Sequence, residues 1–222
     1  MIAKLYRWLL QLSAPTAERN DYSIGYLQCR VRKIALELCR PLKDNNRVLE
    51  VGCGEGLFLL QVAHLNPNME IWGADISEQR LKQARERLSA DGHNNIHLTQ
   101  EDATSSLLES EYFDVVICIN VLFNLSCSGE VKKVLAQMQR VCKKGGRVIF
   151  DFRNQGNPLM RLKYRLTRYY DPTVAKLPLR TYKLSEIQDM LESCNLEVTS
   201  KHFIGWGGAA FAPIIIIEAK KP

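Results

Sequence analysis

Short apolar runs alternate with helical patterns through the middle of the chain, an alternation typical of parallel strands joined by crossover helices. Strands are predicted at residues 47–51, 69–74, 95–99, 113–119 and 147–152. Helices are predicted between them at residues 57–65, 78–88 and 130–142. Ser77 and Ser128 stand where helix N-caps belong, and Gly92 follows a helix end. The pattern therefore predicts an α/β fold, with helices on both faces of a mostly parallel sheet.

The segments on either side of this core extend the fold. Apolar residues at helical spacing between Ile24 and Leu38 predict a helix that covers one face of the sheet. A capping box formed by Ser185 and Gln188 predicts another helix, and strands are predicted at 197–204 and 211–220. Because too few residues separate these two strands for a crossover helix, we expect a C-terminal antiparallel hairpin.

The size of the chain predicts a single domain. Its 222 residues and 46% hydrophobic content suffice for one buried core. The predicted parts are a helical cap (1–40), a ligand-binding core (44–152), a basic lid insertion (153–183), and a C-terminal helix with the hairpin (184–222).

Cysteine usage and hydropathy indicate the compartment. The seven cysteines form no C-x-x-C pair and no cluster with histidine, so neither a metal site nor a disulfide framework is predicted, and a reduced cytoplasm is favoured. No apolar run approaches the about 18 residues that span a bilayer. The stretch 1–12 carries Lys4 and Arg7 within its apolar part, which argues against a signal peptide. Its apolar spacing predicts a short amphipathic helix that packs on the domain or lies at a membrane interface.

A glycine-rich turn, V-G-C-G-E-G over residues 51–56, joins the first predicted strand to a helix. Such a turn lets backbone N–H groups and a helix N-terminus approach a ligand closely. The spacing is G-x-G-x-G, whereas a dinucleotide fingerprint requires G-x-G-x-x-G to seat a pyrophosphate. The turn therefore favours a ligand that lacks a pyrophosphate.

Acidic residues follow three successive predicted strands. Asp75 ends the second strand, where a carboxylate can accept hydrogen bonds from ribose hydroxyls. Glu50 adds a negative charge at the turn, which suits a ligand that carries an ammonium and a sulfonium. Asp102 follows the third strand, placed to accept from an adenine amino group, with the N–H of Ala103 beside it. These acids favour a cationic nucleoside.

Taken together, V-L-E-V-G-C-G-E-G, A-D-I-S, E-D-A, F-D-V-V-I-C-I-N-V-L and K-K-G-G-R-V-I-F-D-F resemble the ordered motifs of class I S-adenosylmethionine (AdoMet)-dependent methyltransferases. The likeness is to the small-molecule branch that includes the quinone-pathway C-methyltransferases. It covers residues 44–152 and, more loosely, 184–220, and it implies a Rossmann-like sheet. Family members often carry an acid where Asn120 stands and a histidine where Asn124 stands.

The resemblance assigns the cofactor contacts. Around the methionine end it implies Glu50, Gly52, Gly54 and Gly56, and we count Cys53 of the same turn with them. It implies that Asp75 holds the ribose, Ile76 packs on the adenine, Asp102 and Ala103 read its edge, and Asn120 and Leu122 line the floor. Cys53 and Cys118 have a simpler interpretation as small core residues.

The implied reaction is in-line transfer of the sulfonium methyl group to an O, N or C acceptor, with S-adenosylhomocysteine as product. No catalytic residue is assigned, because the histidines at 64, 93, 97 and 202 all have simpler structural or surface interpretations. Two alternatives stay open. One is an NAD(P)-dependent oxidoreductase on the same kind of sheet, and the other is an AdoMet-binding protein without catalysis.

The acceptor is expected to contact parts outside the cofactor motifs, namely Asn20, Asp21 and Tyr22, residues 203–208 with the glycine-flanked Trp206, and segment 153–183. That segment carries eight basic side chains and one acidic side chain. Its apolar residues recur at helical spacing, at Leu159, Leu162, Leu166 and Tyr169 or Tyr170. Basic residues lie between them, at Arg161, Lys163, Arg165 and Arg168. A solvated helix face is the simplest interpretation. The alternatives are contact with an anionic membrane surface or lipid-linked acceptor and, less favoured because no RNA-binding module is visible, nucleic acid.

Overall fold

A mixed sheet organises the part of the chain that the computed structural model describes, residues 26–93, 96–170, 177–205 and 208–222. Its strands are β1 Arg47–Val51, β2 Glu70–Asp75, β3 His97–Gln100, β4 Phe113–Cys118, β5 Cys142–Arg153, β6 Glu197–Ile204 and β7 Ile214–Lys220. Within the described residues they form one seven-stranded sheet in the order β3-β2-β1-β4-β5-β7-β6. The first five strands are parallel, and β7 lies antiparallel to both β5 and β6. This confirms the mostly parallel sheet and its C-terminal hairpin.

Helices cover both faces, as predicted. They are α1 Tyr26–Cys39, α2 Leu57–Leu65, α3 Glu78–Ala90, α4 Ser128–Val141, α5 Pro158–Tyr170, α6 Leu184–Ser193 and the single turn α7 Gly208–Phe211, with a 3-10 helix at Leu122–Asn124. The apolar faces of α4 and α6 pack on one side of the sheet, and those of α1, α2 and α3 pack on the other. Each face of the sheet thus has its own core.

The central position of β7 explains its unbroken run of isoleucines. Residues 214–217 are each at most 1% exposed. Ile215 and Ile217 belong to the core beneath α4 and α6, and Ile214 and Ile216 belong to the opposite core. A strand covered on both faces has no solvent-facing side, so it is apolar throughout instead of alternating.

Two of the predicted helix starts are wrong. Ser77 does cap α3, because its hydroxyl accepts from the backbone N–H of Arg80. Ser128, however, is the first residue of α4, and the carboxylate of Glu130 instead reaches back to the backbone N–H of Ser126. Ser185 lies inside α6, which begins one residue earlier without a side-chain cap.

Strand ends also differ from the prediction by a few residues. β5 begins at Cys142, five residues earlier than expected, because it continues through an irregularity opposite residues 113–115 of β4. Residue 95 of the predicted third strand lies outside the described residues.

Several predictions concern parts of the chain that the structure does not describe. These are the amphipathic stretch 1–12, the predicted acceptor contacts at Asn20, Asp21, Tyr22 and Trp206, and residues 171–176 of the basic segment. The division of the chain into four parts stays a prediction. Among the described residues, no helix combines the length and the apolar character needed to cross a membrane.

Candidate cofactor site at the carboxyl ends of the strands

The carboxyl ends of β1, β2 and β4 meet at one edge of the sheet, the edge where open α/β sheets bind their ligands. The glycine turn that follows β1 is fastened to β2 there. The backbone N–H groups of Gly52 and Cys53 both donate to the carbonyl of Ala74, over 2.7 and 3.0 Å. The turn is therefore held against the end of the second strand.

All three glycines of this turn, Gly52, Gly54 and Gly56, have positive φ, and the first two have it for different reasons. Gly52 has φ +76°, and a Cβ at this position would lie 2.3 Å from a methyl group of Val121 after β4. Gly54 has φ +54°, and a Cβ there would meet nothing within 4 Å. Close packing thus requires a glycine at Gly52, whereas Gly54 borders the open space in which a ligand can lie against the backbone.

Asp75, which was predicted to hold a ribose, is 93% buried at the end of β2. Its Oδ2 accepts from the backbone N–H of Gly54 over 2.8 Å, and its Oδ1 accepts from that of Ser77 over 2.9 Å. A carboxylate has about four acceptor sites, so two remain for a ligand after these bonds. The contact with ribose stays a prediction, and the structure adds that Asp75 orders the turn.

Glu50 lies one residue before the end of β1 and is only 3% exposed. Its Oε2 has no hydrogen-bond partner among the described residues. Burial raises the pKa of Glu50 well above its ordinary value; the nearby Arg32 of α1 opposes this rise, and Asp75 adds to it. A buried acceptor without a partner is costly unless a ligand completes it, and the ammonium of the AdoMet methionine has the required charge and donors. The residues present therefore fit AdoMet at this position.

The predicted adenine contacts line the same edge further along. Ile76 is a large apolar residue that is 65% exposed, so its side chain is available to pack against a flat ring. Asp102 is exposed, and bonds from the backbone N–H and the hydroxyl of Thr104 lower its pKa. Ala103 is half-buried and lines a recess together with Val51. Their contacts with adenine stay predictions.

Leu122 and Cys53 turn their side chains into the core. Leu122 is fully buried among residues of the α4 side, and its backbone carbonyl accepts from the hydroxyl of Tyr182 and from the N–H of Leu125. Cys53 is 6% exposed, and burial raises the pKa of its thiol. The structure thus bears out the interpretation of Cys53 and of the fully buried Cys118 as small core residues. Contacts of Leu122 and Cys53 with the cofactor stay predictions.

A buried ion pair lies behind Asn120, the predicted floor residue. Asn120 has φ +59° and donates its backbone N–H to the carboxylate of Asp151 at the end of β5. Arg153, two residues further on β5, forms a salt bridge with Asp151 and donates from Nη2 to the side-chain oxygen of Asn120 over 2.9 Å. Hydrogen bonds to its backbone N–H and to its side-chain oxygen therefore hold Asn120 in the left-handed conformation.

The same arginine connects this floor to α5. Its guanidinium lies 4.2 Å over the ring of Phe123, and its Nε donates to the hydroxyl of Tyr164 over 3.0 Å. Burial raises the pKa of Tyr164, so its phenol is neutral near pH 7. β5, the 3-10 helix and α5 thus share one polar centre next to the candidate cofactor site.

Sequence reasoning missed the four residues that surround the predicted site, Arg32, Asp151, Arg153 and Tyr164. A signal was available for two of them. Asp151 and Arg153 are separated by two positions at the end of the apolar run that begins at Val148, so they lie on the same face of β5. Arg32 and Tyr164 lie on helices whose placement the sequence pattern did not define.

Comparison with known proteins identifies the family. A family model described as a methyltransferase domain matches residues 42–199. The chain belongs to the methyltransferase family. Phosphatidylethanolamine N-methyltransferase of Cereibacter sphaeroides is 35% identical over 55% of this chain and 59% of its own length. Ubiquinone/menaquinone biosynthesis C-methyltransferase UbiE of Pseudomonas fluorescens is 31% identical over 71% of this chain and 62% of its own length.

Solved methyltransferase structures share the fold. Magnesium protoporphyrin IX methyltransferase from Synechocystis, solved with bound S-adenosylhomocysteine, superposes with a TM-score of 0.69 at 18% identity, covering 99% of this chain and 94% of that one. A methyltransferase from Aquifex aeolicus gives a TM-score of 0.64 at 18% identity, covering 86% and 89%. These likenesses confirm the Rossmann-like methyltransferase fold.

The comparisons also distinguish between the function classes that the sequence left open. The predicted membership of the AdoMet-dependent methyltransferases, with a likeness to the quinone-pathway enzymes, is confirmed. The oxidoreductase alternative receives no support from the family model or these relatives. The chain spans about three fifths of the length of the curated relatives that it matches.

Proposed function

We propose that the chain transfers the methyl group of AdoMet to a small-molecule acceptor that is a lipid or is linked to a lipid. The observation that carries the proposal is the pair of buried acids at the ends of β1 and β2. Glu50 has a carboxylate oxygen without a partner in the described structure, and Asp75 keeps two acceptor sites beside the glycine turn. A ligand with a cationic amino-acid tail and a ribose complements both acids.

In this proposal each predicted residue keeps its role. Glu50 and the glycine turn hold the methionine end, Asp75 holds the ribose, and Ile76 packs on the adenine. Asp102 and Ala103 read the adenine edge, and Asn120 forms the floor. When bound, AdoMet supplies a methyl group on a sulfonium, activated for in-line attack.

The chain's own part is to align the acceptor and to exclude water. Asp151 and Arg153 neutralise each other and hold Asn120 in its left-handed conformation. Tyr164 remains a neutral phenol whose oxygen accepts from Arg153, so we propose that it donates its proton in a hydrogen bond and does not act as a base. His97, which stacks on Trp72 with ring centroids 4.5 Å apart, has a structural contact instead of a catalytic one.

The outer face of α5 supports a lipid acceptor at a membrane surface. Leu159, Leu162 and Leu166 are 74%, 52% and 43% exposed, and Arg161 and Arg165 are exposed on the same helix. The inner face packs through other residues, since Met160 is 5% exposed and Tyr164 contacts Arg153. A helix that exposes leucines among basic residues suits the interface of an anionic membrane.

Two further observations agree with contact between the protein and a membrane surface. The relatives described above are named for phosphatidylethanolamine and for ubiquinone and menaquinone, all of which are lipids. None of the seven cysteines, which all lie in the described residues, forms a disulfide, and a reduced cytoplasm favours that state. We therefore propose peripheral contact with the inner face of a membrane.

Co-sedimentation with vesicles tests this proposal. Native protein is expected to bind vesicles that contain phosphatidylglycerol at low salt and to leave them at high salt. Near an anionic surface each basic residue contributes about 1 kcal/mol, so the double variant Arg161→Gln/Arg165→Gln should bind about tenfold or more weakly. The matched control is Lys82→Gln/Arg85→Gln, which removes two exposed basic residues from α3.

Methyl transfer is measured in parallel with labelled AdoMet and vesicles made from a bacterial lipid extract. Label in the lipid fraction, reduced in the α5 variant and unchanged in the α3 variant, is the expected result. Native protein that ignores anionic vesicles at low salt contradicts the membrane contact. Tight AdoMet binding with no transfer to lipid or to soluble extract would instead favour the alternative of a binding protein without catalysis.

A further inference from the structure

A second cluster of ligating side chains lies far from the glycine turn. His64 is in the last turn of α2, Asp91 directly follows α3, and His93 comes two residues later. One ligand atom from each residue lies within 4.8 Å of the other two. Because crossover helices run back along a parallel sheet, the ends of α2 and α3 lie at the edge opposite to Asp75. The cluster is therefore separate from the candidate cofactor site.

The distances in this cluster are close to those of a metal site. Nε2 of His64 lies 2.6 Å from Oδ2 of Asp91, and Nε2 of His93 lies 3.5 Å from the same oxygen. The two imidazole rings have centroids 5.2 Å apart. Around a tetrahedral zinc with bonds of about 2.1 Å, ligand atoms are about 3.4 Å apart. Shifts of about 1 Å, which side-chain rotation supplies, would bring the three atoms into that geometry.

The backbone brings Asp91 and His93 to the same side. Gly92 has φ +83°, and its N–H donates to Ser89 O over 3.1 Å. The N–H of His93 donates to Leu88 O over 2.9 Å, which closes the end of α3 in the manner of a glycine C-cap. Two of the three ligands therefore stand on a tight, hydrogen-bonded turn, and only His64 comes from another element.

We propose that His64, Asp91 and His93 bind a divalent transition metal ion such as Zn²⁺ or Ni²⁺. Neutral imidazole and carboxylate are suitable ligands for these ions, and water completes the coordination at this partly exposed position. The ion connects the C-terminal ends of α2 and α3. These helices begin directly after the glycine turn and after Asp75, so the ion stabilises the two elements that carry the candidate cofactor site.

Titration calorimetry with ZnCl₂ on the full chain, with AdoMet absent, tests the proposal. The expected result is one site in the micromolar range, weakened about tenfold or more in His64→Gln, His93→Gln and Asp91→Asn. His202→Gln is the matched control, since it removes an imidazole on β6 and should leave binding unchanged. At a hundredfold excess of Zn²⁺ over its Kd, Tm should rise by about 5 °C in the native protein and in the control.

Zinc K-edge X-ray absorption on the native protein provides a test that does not depend on variants. Nitrogen and oxygen ligands with imidazole scattering are expected, and sulfur ligands would overturn the proposal by placing the ion on thiols such as the exposed Cys127. Native protein that binds no Zn²⁺ up to millimolar concentration would also overturn it, and so would equal affinity in the three ligand variants and the control. The cluster would then be an ordinary surface hydrogen bond between His64 and Asp91.

Discussion

The backbone N–H of Gly54 donates to the carboxylate of Asp75 over 2.8 Å, which joins the glycine turn to the acid that ends the neighbouring strand. The other oxygen of Asp75 accepts from the N–H of Ser77, the N-cap of α3. One side chain thus orders the turn and the start of a helix. Loss of Asp75 should therefore affect both the free protein and its complex with AdoMet.

Replacement of Asp75 separates these two roles. Asp75→Ala should weaken AdoMet binding by about 1–3 kcal/mol, because charged hydrogen bonds to the ribose are lost. It should also lower Tm, since two backbone N–H groups lose their acceptor. Asp75→Asn keeps one acceptor oxygen and should recover part of the stability but little of the affinity. Calorimetry and thermal unfolding measure the two effects, with Asp189→Ala, an exposed acid on α6, as control. Unchanged affinity in a folded Asp75→Ala variant would show that the ribose binds elsewhere.

Alanine variants of Gly54 and Gly92 test whether the open space beside Gly54 binds the cofactor. Both have positive φ, and a Cβ on either would meet nothing within 4 Å. Alanine should cost both variants about 1–2 kcal/mol of stability through backbone strain alone. Only Gly54→Ala should reduce AdoMet affinity, because its methyl group enters the space predicted for the cofactor. Equal AdoMet affinity in the two variants would mean that this space is not used.

The pH dependence of stability reports on Glu50. Its folded pKa is raised above the ordinary 4.5, so the unfolded state loses this proton first as pH rises. The free energy of unfolding should then fall as pH increases from 4.5 through the raised folded pKa, and Glu50→Gln should remove this part of the fall. The variant is expected to be more stable than native protein at pH 7.

The same variant should bind AdoMet about tenfold or more weakly, because the partner of the ligand ammonium loses its charge. Denaturant unfolding between pH 4 and 8 and calorimetry measure the two effects. Glu192→Gln, an exposed residue of α6, is the control for both. If Glu50→Gln is less stable than native protein at every pH, the pKa of Glu50 is not raised in the fold, which contradicts the effect expected from its burial.

A variant of Tyr164 tests whether the hydrogen bond from Arg153 holds α5 in place. Tyr164→Phe removes the acceptor of Arg153 Nε and should cost about 1–3 kcal/mol of stability. Hydrogen exchange should accelerate across residues 158–166 while AdoMet affinity stays within about twofold. Tyr182→Phe, which loses a hydroxyl bonded to Leu122 O, is the control and should leave α5 protected. Faster exchange in α5 of both variants would refute a specific link from Arg153 to this helix.

The alternating strands and helices of the fold were predictable because the local apolar pattern of each element matches the face that it buries in the core. β1 and α2 have the predicted bounds, since an apolar strand, a glycine turn and an apolar helix follow one another without ambiguity. The starts of α4 and α6 were not predictable in the same way. Ser128 and Ser185 look like caps in isolation, yet each lies inside its helix, and neither helix has a side-chain cap at its N-cap residue.

The candidate site shows the same division. Residues within the motifs, such as Asp75 and Gly54, could be located because their chemistry follows from their position at a strand end. The burial of Arg153 and its contact with Tyr164 depend on how α5 packs against β5, which periodicity does not specify. The outward direction of Leu159 and its neighbouring leucines has the same origin, because α5 packs through Met160 and Tyr164 instead.

The central claim is that the buried acids at the ends of β1 and β2 serve a cationic nucleoside. Titration calorimetry of the native protein with AdoMet, S-adenosylhomocysteine and NAD tests it most directly. The account predicts one binding site for AdoMet and for S-adenosylhomocysteine, and at most weak binding of NAD. Tighter binding of NAD than of AdoMet or S-adenosylhomocysteine would contradict the account.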